Sequence, residues 1–182
     1  MVRLEIRFAG FGGQGIIKSG IITAAAACIH GGRDAVQTQS YGPESRGGAC
    51  KSEVVISEEG IDFPKVVEPD ILVLMSQQAY TDYVDDVKSG GIVILDPDMI
   101  PREKEMKNVN VFRVPATKIA EELGRRIVAN IVMLGAFAAI TKALDDNALK
   151  ESIKENIPKG TEELNLAAFQ KGYEYGKNLV KV

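Results

Sequence analysis

Three features of this sequence predict an α/β fold: a mainly parallel sheet with helices on both faces, finished by a helical C-terminal part. The first is the order of the patterns, in which strand-like runs alternate with helical ones and helices close the chain. The second is the apolar run Asp70 to Met75 (DILVLM), the pattern of a strand covered on both faces. The third is a glycine-rich turn, Gly10 to Gly15, between the first strand and the first helix. Together they describe a Rossmann-like, three-layer arrangement. A chain of 182 residues, 45% hydrophobic and 26% charged, suits one domain over residues 1–182 with its own core.

In chain order, Arg3 to Ala9 alternates charged and apolar residues, as a strand does, and runs into Gly10. Ile16 to His30 follows as a helix polar only at Lys18, Ser19, Thr23 and His30, and Gly31-Gly32 ends it. Asp34 to Ser40 and Lys51 to Ser57 read as strands, joined by a turn-rich stretch. After the strand at 70–75, Gln77 to Lys88 is expected to be helical. Ile92 to Leu95 and Val111 to Val114 are short strands, each meeting a proline just beyond its end, Pro97 and Pro115. Helices are then expected over Lys118 to Leu123, Arg126 to Ala143, Asp145 to Asn156 and Thr161 to Lys181.

The helix at 126–143 is apolar on nearly every side, so more than a sheet must cover it. Either part of it, or of the similarly apolar first helix, forms a subunit contact, or the C-terminal helices bury it. On the first reading the chain self-associates when expressed alone.

Charge and composition exclude several classes. A net charge of −3 is not that of a nucleic-acid-tracking surface. The N-terminal third is locally basic, with Arg3, Arg7, Lys18, Arg33, Arg46 and Lys51 against Glu5, Asp34 and Glu44, which favours an anionic ligand there. The longest apolar stretch, Ile127 to Ile140, contains Asn130 and is shorter than the roughly 18–20 residues that span a bilayer. No signal-peptide pattern opens the chain, so a cytoplasmic location is expected. The two cysteines, Cys28 and Cys50, lack CxxC spacing, and a cubane cluster needs about four thiolates. Each is expected to be a buried structural thiol. His30, the only histidine, sits at a helix C-terminus, where a dipole contact explains it better than catalysis. No nucleophile with its base and no three-ligand metal set is recognisable.

Two loops remain. Gly10-Phe11-Gly12-Gly13-Gln14-Gly15 satisfies G-x-G-x-x-G in the strand–turn–helix context that presents backbone N–H groups and a helix N-terminus to phosphate. Gly10, Gly12, Gly13, Gln14 and Gly15 are therefore candidate cofactor-binding residues. A nicotinamide site would add an acidic residue at the end of the second strand. Gln39, Ser40 and Tyr41 stand there instead, and Asp34 lies at the other end. The second loop, Ser40-Tyr41-Gly42-Pro43-Glu44-Ser45-Arg46-Gly47-Gly48, lies on the same side of the sheet, and Arg46 suits a bidentate clamp on phosphate or carboxylate. Ser40, Tyr41, Gly42, Glu44, Arg46 and Gly47 complete the candidate set. The plainer alternatives are a packing turn for the first loop and a solvated hairpin for the second.

Taken together, GFGGQGI and QSYGPESRGGACKSEVVIS resemble the γ subunit of the 2-oxoacid:ferredoxin oxidoreductases, and VPAT at 114–117 and NIVMLG at 130–135 look like later landmarks of the same family. The resemblance covers essentially the whole chain. The GPESRGG form of the second loop is most similar to the 2-oxoglutarate branch, with branched-chain oxoacid and pyruvate enzymes as alternatives. It implies a subunit, inactive alone, of a complex that oxidatively decarboxylates a 2-oxoacid to an acyl-CoA. Thiamine diphosphate and 4Fe-4S clusters would sit on partner subunits, and coenzyme A would accept the acyl group. The implied partners are alpha and beta subunits, a ferredoxin-like delta subunit where the complex has one, and ferredoxin or another electron acceptor. A stand-alone dinucleotide-binding oxidoreductase and a purely structural interaction subunit are the competing classes.

Overall fold

The computed structural model describes residues 3–42 and 48–181. Its strands are β1 (Arg3–Phe11), β2 (Asp34–Tyr41), β3 (Ala49–Ser57), β4 (Ile71–Leu74), β5 (Ile92–Leu95) and β6 (Asn110–Arg113). They form one sheet in the order β2-β3-β1-β4-β5-β6. Strands β1, β4, β5 and β6 pair in parallel, while β3 runs antiparallel to both β1 and β2. The reversal follows from chain length: a parallel crossover takes about a dozen residues or more, and β3 begins at Ala49, too soon after β2 ends at Tyr41.

The helices are α1 (Ile16–Ala25, continued by a π turn at Ala26–His30), α2 (Gln77–Tyr83), α3 (Ala116–Glu122), α4 (Ala129–Thr141), α5 (Asp146–Asn156) and α6 (Glu162–Leu179). Helix α2 is shorter than the 77–88 expected. A 3-10 turn at Val84–Asp86 follows it, and Val87 is then extended, with φ −67° and ψ 137°. The Lys88 amide donates to the Pro69 carbonyl at 3.1 Å, returning the chain to the sheet.

The faces of the sheet are covered unequally. Leu4, Ile6, Phe8, Val54, Ile56, Ile71, Val73 and Ile94 pack against α1 and the C-terminal helices in the larger core. Ala9, Leu72, Leu74, Val93 and Leu95 face the other way, against Ala79 and Tyr80 of α2 and against Val84 and Ile100. Alternate residues of β4 thus enter both cores, which is why it reads as an uninterrupted apolar run. On the α2 face β1 contributes charge as well as Ala9. Arg7 is buried, donates to Glu53 at 2.7 Å and to the Val66 carbonyl at 3.1 Å, and pairs with Asp86. A buried guanidinium is tolerable only with such partners.

Helix α4 settles one expectation. Every residue from Ala129 to Ile140 is buried by this chain itself, chiefly under α6, while Ile127, at the start of the helix expected over 126–143, lies in a 3-10 turn and is exposed. For residues 129–140 the reading of burial under the C-terminal helices is the one observed: a long helix lying along a second one provides the extra cover. Of the cysteines, Cys50 is buried and burial pushes its thiol pKa up, but Cys28 is exposed, because the π turn carries Cys28 and Ile29 off the packed face. His30 accompanies them and meets Glu155 of α5 at 3.1 Å, at the opposite end of α1 from the glycine loop. Among the described residues no helix is long and apolar enough to cross a membrane.

Candidate functional site

The glycine loop leaves the carboxyl end of β1 beside the end of β4. Gly15 is the N-cap of α1, with φ 77°, and its side offers no capping oxygen, so the first-turn amides of α1 point outward without a side-chain acceptor from that residue. The glycines of the loop have different reasons for being glycine. A Cβ on Gly10 would lie 2.4 Å from Gln14 Oε1, and one on Gly15 would lie 2.5 Å from Nδ2 of Asn130 on α4. Gly13 has φ +101° and nothing within 4 Å of where its Cβ would stand, so it opens onto free space. Close neighbours crowd Gly10 and Gly15; the left-handed φ accounts for Gly13, which faces open space.

The described ends of the second loop lie beside the first. The Gly12 amide donates to the Gly48 carbonyl at 3.0 Å, and Tyr41, Cys50 and Gly10 align across three adjacent strands. Ser40 and Tyr41 are exposed and Gly42 donates to Ala49 O at 2.7 Å. Glu44, Arg46 and Gly47 lie outside the described residues. Because β3 intervenes, the end of β2 is two strand spacings, about 10 Å, from β1. A dinucleotide site of the usual kind needs β2 beside β1, so topology adds to the missing acid in arguing against a nicotinamide.

Two clefts open at this end of the sheet, one on each side of Ile127, and Gly13 lines both. One, of about 440 Å³, lies between Phe11, Gln14, Met75, Thr117 and Arg126. The other, of about 480 Å³, lies between Gly15, Lys18, Arg125, Asn130 and the α5–α6 connection around Pro158. The charged side chains lining them among the described residues are Lys18, Arg125 and Arg126; no carboxylate does so. Arg126 has Glu121 at 3.7 Å, and Ile127, which lines both clefts, is 73% exposed. With a helix N-terminus and a glycine of positive φ, this is an environment for a phosphate-bearing anion.

Sequence reasoning passed over Thr117, Arg125, Arg126 and Ile127 as site residues, because they follow β6, far along the chain. Asn130 was the available signal, a polar residue in an apolar helix. It is buried, and its Nδ2 donates to Gly15 O at 3.3 Å, tying α4 to the glycine loop. Thr117 is held from behind: its amide and its hydroxyl donate to Asp96 Oδ2 at 2.8 and 2.6 Å. Asp96, at the end of β5, is fully buried, and burial raises its pKa even though Thr117 and Asp98 donate to it.

Residues 5–175 match the family described as pyruvate ferredoxin/flavodoxin oxidoreductase, and the chain belongs to that family. It is 55% identical over 180 residues to the 2-oxoglutarate synthase subunit KorC of Methanocaldococcus jannaschii, covering 98% of this chain and 96% of the relative. The γ subunit of a keto/oxoacid ferredoxin oxidoreductase from Geobacter sulfurreducens has the same fold, with a TM-score of 0.87, 41% identity and 97% of each chain covered. A 2-oxoglutarate:ferredoxin oxidoreductase from Magnetococcus marinus, solved with 2-oxoglutarate, coenzyme A and succinyl-CoA bound, matches with a TM-score of 0.90 and 28% identity. All of this chain corresponds to 32% of that longer one.

Proposed function

We infer that this chain is the γ-type subunit of a cytoplasmic 2-oxoglutarate:ferredoxin oxidoreductase, one domain over residues 1–182, working only within the assembled complex. The carrying observation is the near end-to-end 55% identity to a 2-oxoglutarate synthase subunit. The complex oxidatively decarboxylates the 2-oxoacid, passes two electrons to its clusters and transfers the acyl group to coenzyme A. Thiamine diphosphate and the 4Fe-4S clusters belong to partner alpha and beta subunits, with a delta subunit or ferredoxin receiving the electrons. Two separated cysteines, one buried, are too few to hold a cubane cluster here.

This chain's part is to bind and orient the phosphate-bearing end of coenzyme A. Its first-turn α1 amides and the open face of Gly13 supply N–H donors, Lys18, Arg125 and Arg126 supply charge, and Arg46 of the second loop adds a clamp. The clefts, whose charged lining among the described residues is cationic, support this role.

The test is reconstitution. The isolated chain should be colourless and unable to reduce a viologen dye with 2-oxoglutarate and coenzyme A, and addition of its companion subunits should create that activity. Turnover by the purified single chain would overturn the assignment. In the complex, Gly12→Val and Arg46→Ala should each raise KM for coenzyme A; normal assembly with unchanged KM for coenzyme A and thiamine diphosphate would reduce both loops to structural turns.

A further inference from the structure

Gln14 occupies an unusual place in the hydrogen bonding of the sheet. The parallel ladder between β1 and β4 ends at Ala9 and Leu74, and the Met75 amide then donates to Ala9 O at 2.9 Å. In an evenly spaced parallel ladder the next rung would run from the Phe11 amide to the Met75 carbonyl. That rung is replaced. The Phe11 amide donates to Gln14 Oε1 at 2.9 Å, and Gln14 Nε2 donates to Met75 O at 2.6 Å.

We propose that Gln14 is a positioning residue whose carboxamide, inserted like an extra peptide unit between β1 and β4, holds their carboxyl ends apart and so keeps the ligand cleft open. The proposal rests on the reading of that cleft as the coenzyme A site. Three observations carry it. Phe11, Gln14 and Met75, the three residues of the interrupted rung, all line the 440 Å³ cleft. A Cβ on Gly10 would lie 2.4 Å from Gln14 Oε1 and 2.8 Å from the Ile16 side chain, so the carboxamide in this position fills the space that glycine leaves. The position also demands an acceptor and a donor at once, which a carboxamide supplies and a carboxylate does not.

Gln14→Ala removes the wedge and lets the Phe11 amide bond Met75 O directly. Its crystal structure should show that N···O distance at about 3 Å. In the assembled complex KM for coenzyme A should rise on the order of tenfold or more, since small misplacements of binding groups carry penalties of that size. Thermal stability should change little, one ladder bond replacing two side-chain bonds.

Gln14→Glu keeps the shape but sets a carboxylate against the Met75 carbonyl. Protonation restores the donor, so the excess KM of this variant over the native complex should shrink as pH falls. Arg126, across the cleft, favours the ionised form throughout, and Asp96 lies buried behind Thr117. A wedge-free Gln14→Ala structure in which Phe11 and Met75 stay apart, or a Gln14→Glu complex whose relative KM is independent of pH, would overturn the proposal. The coenzyme A reading fails separately, through unchanged KM in the Gly12 and Arg46 variants, while the Phe11–Met75 distance needs no ligand.

Discussion

Gly172 and Gly13 are the same residue in two regions that use it oppositely. In the seam between α4 and α6, a Cβ on Gly172 would lie 1.8 Å from the Val132 carbonyl oxygen, and one on Gly135 would lie 2.0 Å from that of Phe169. The helices touch backbone to backbone, and the missing side chains are space already taken. At Gly13 the missing side chain is space left over. A glycine pattern therefore says that something comes close, but whether it is the chain's own backbone or a visitor depends on what the fold brings up to it.

The contrast breaks first at the seam. Gly172→Ala should destabilise the chain by about 3 kcal/mol or more, since overpacking against immovable backbone is at the costly end of such changes. Urea denaturation measures it, and a loss below about 1 kcal/mol would mean that the helices separate easily. Gly13→Ala should be milder for the fold, on the order of 1–2 kcal/mol for a side chain at positive φ. Its larger consequence should be functional: a severalfold higher KM for coenzyme A in the assembled complex, with the subunits still assembling.

The smallest effect concerns Asp96, which holds Thr117 at the edge of the cleft. Its folded-state pKa lies above the unfolded one, because burial outweighs its hydrogen bonds. Its unfavourable contribution is therefore absent below the unfolded pKa and fully developed above the folded one. Asp96→Asn, which cannot titrate, should gain stability relative to the native chain as pH rises through that window. Parallel denaturation curves at the two ends of the window would show the opposite sign, or no slope, if the carboxylate were instead stabilised by its donors.

Much of this protein was legible locally. The strands, the glycine turn, the stop at Gly31-Gly32 and the doubly covered β4 are set by periodicity and by residues with strong backbone preferences, which act over a few neighbours. The two loops that carry the family resemblance were visible for the same reason, being contiguous. Ends of elements slipped where a distant partner intervened, as at Lys88, drawn back by the Pro69 carbonyl.

Tertiary structure decided what no local pattern encodes. It placed β3 between β1 and β2, brought Arg125, Arg126 and Asn130 to a loop more than a hundred residues earlier, and laid α6 over α4 so that an apolar helix needed no partner subunit. It also divided the glycines of the first loop: a Cβ would meet Gln14 at Gly10 and Asn130 at Gly15, whereas at Gly13 it would meet nothing within 4 Å. Sequence determines which residues prefer to turn, extend or coil, because those preferences are short-ranged. Proximity between distant segments is a property of packing, and the open space at the carboxyl ends of β1 and β4 exists only once every other surface has been filled.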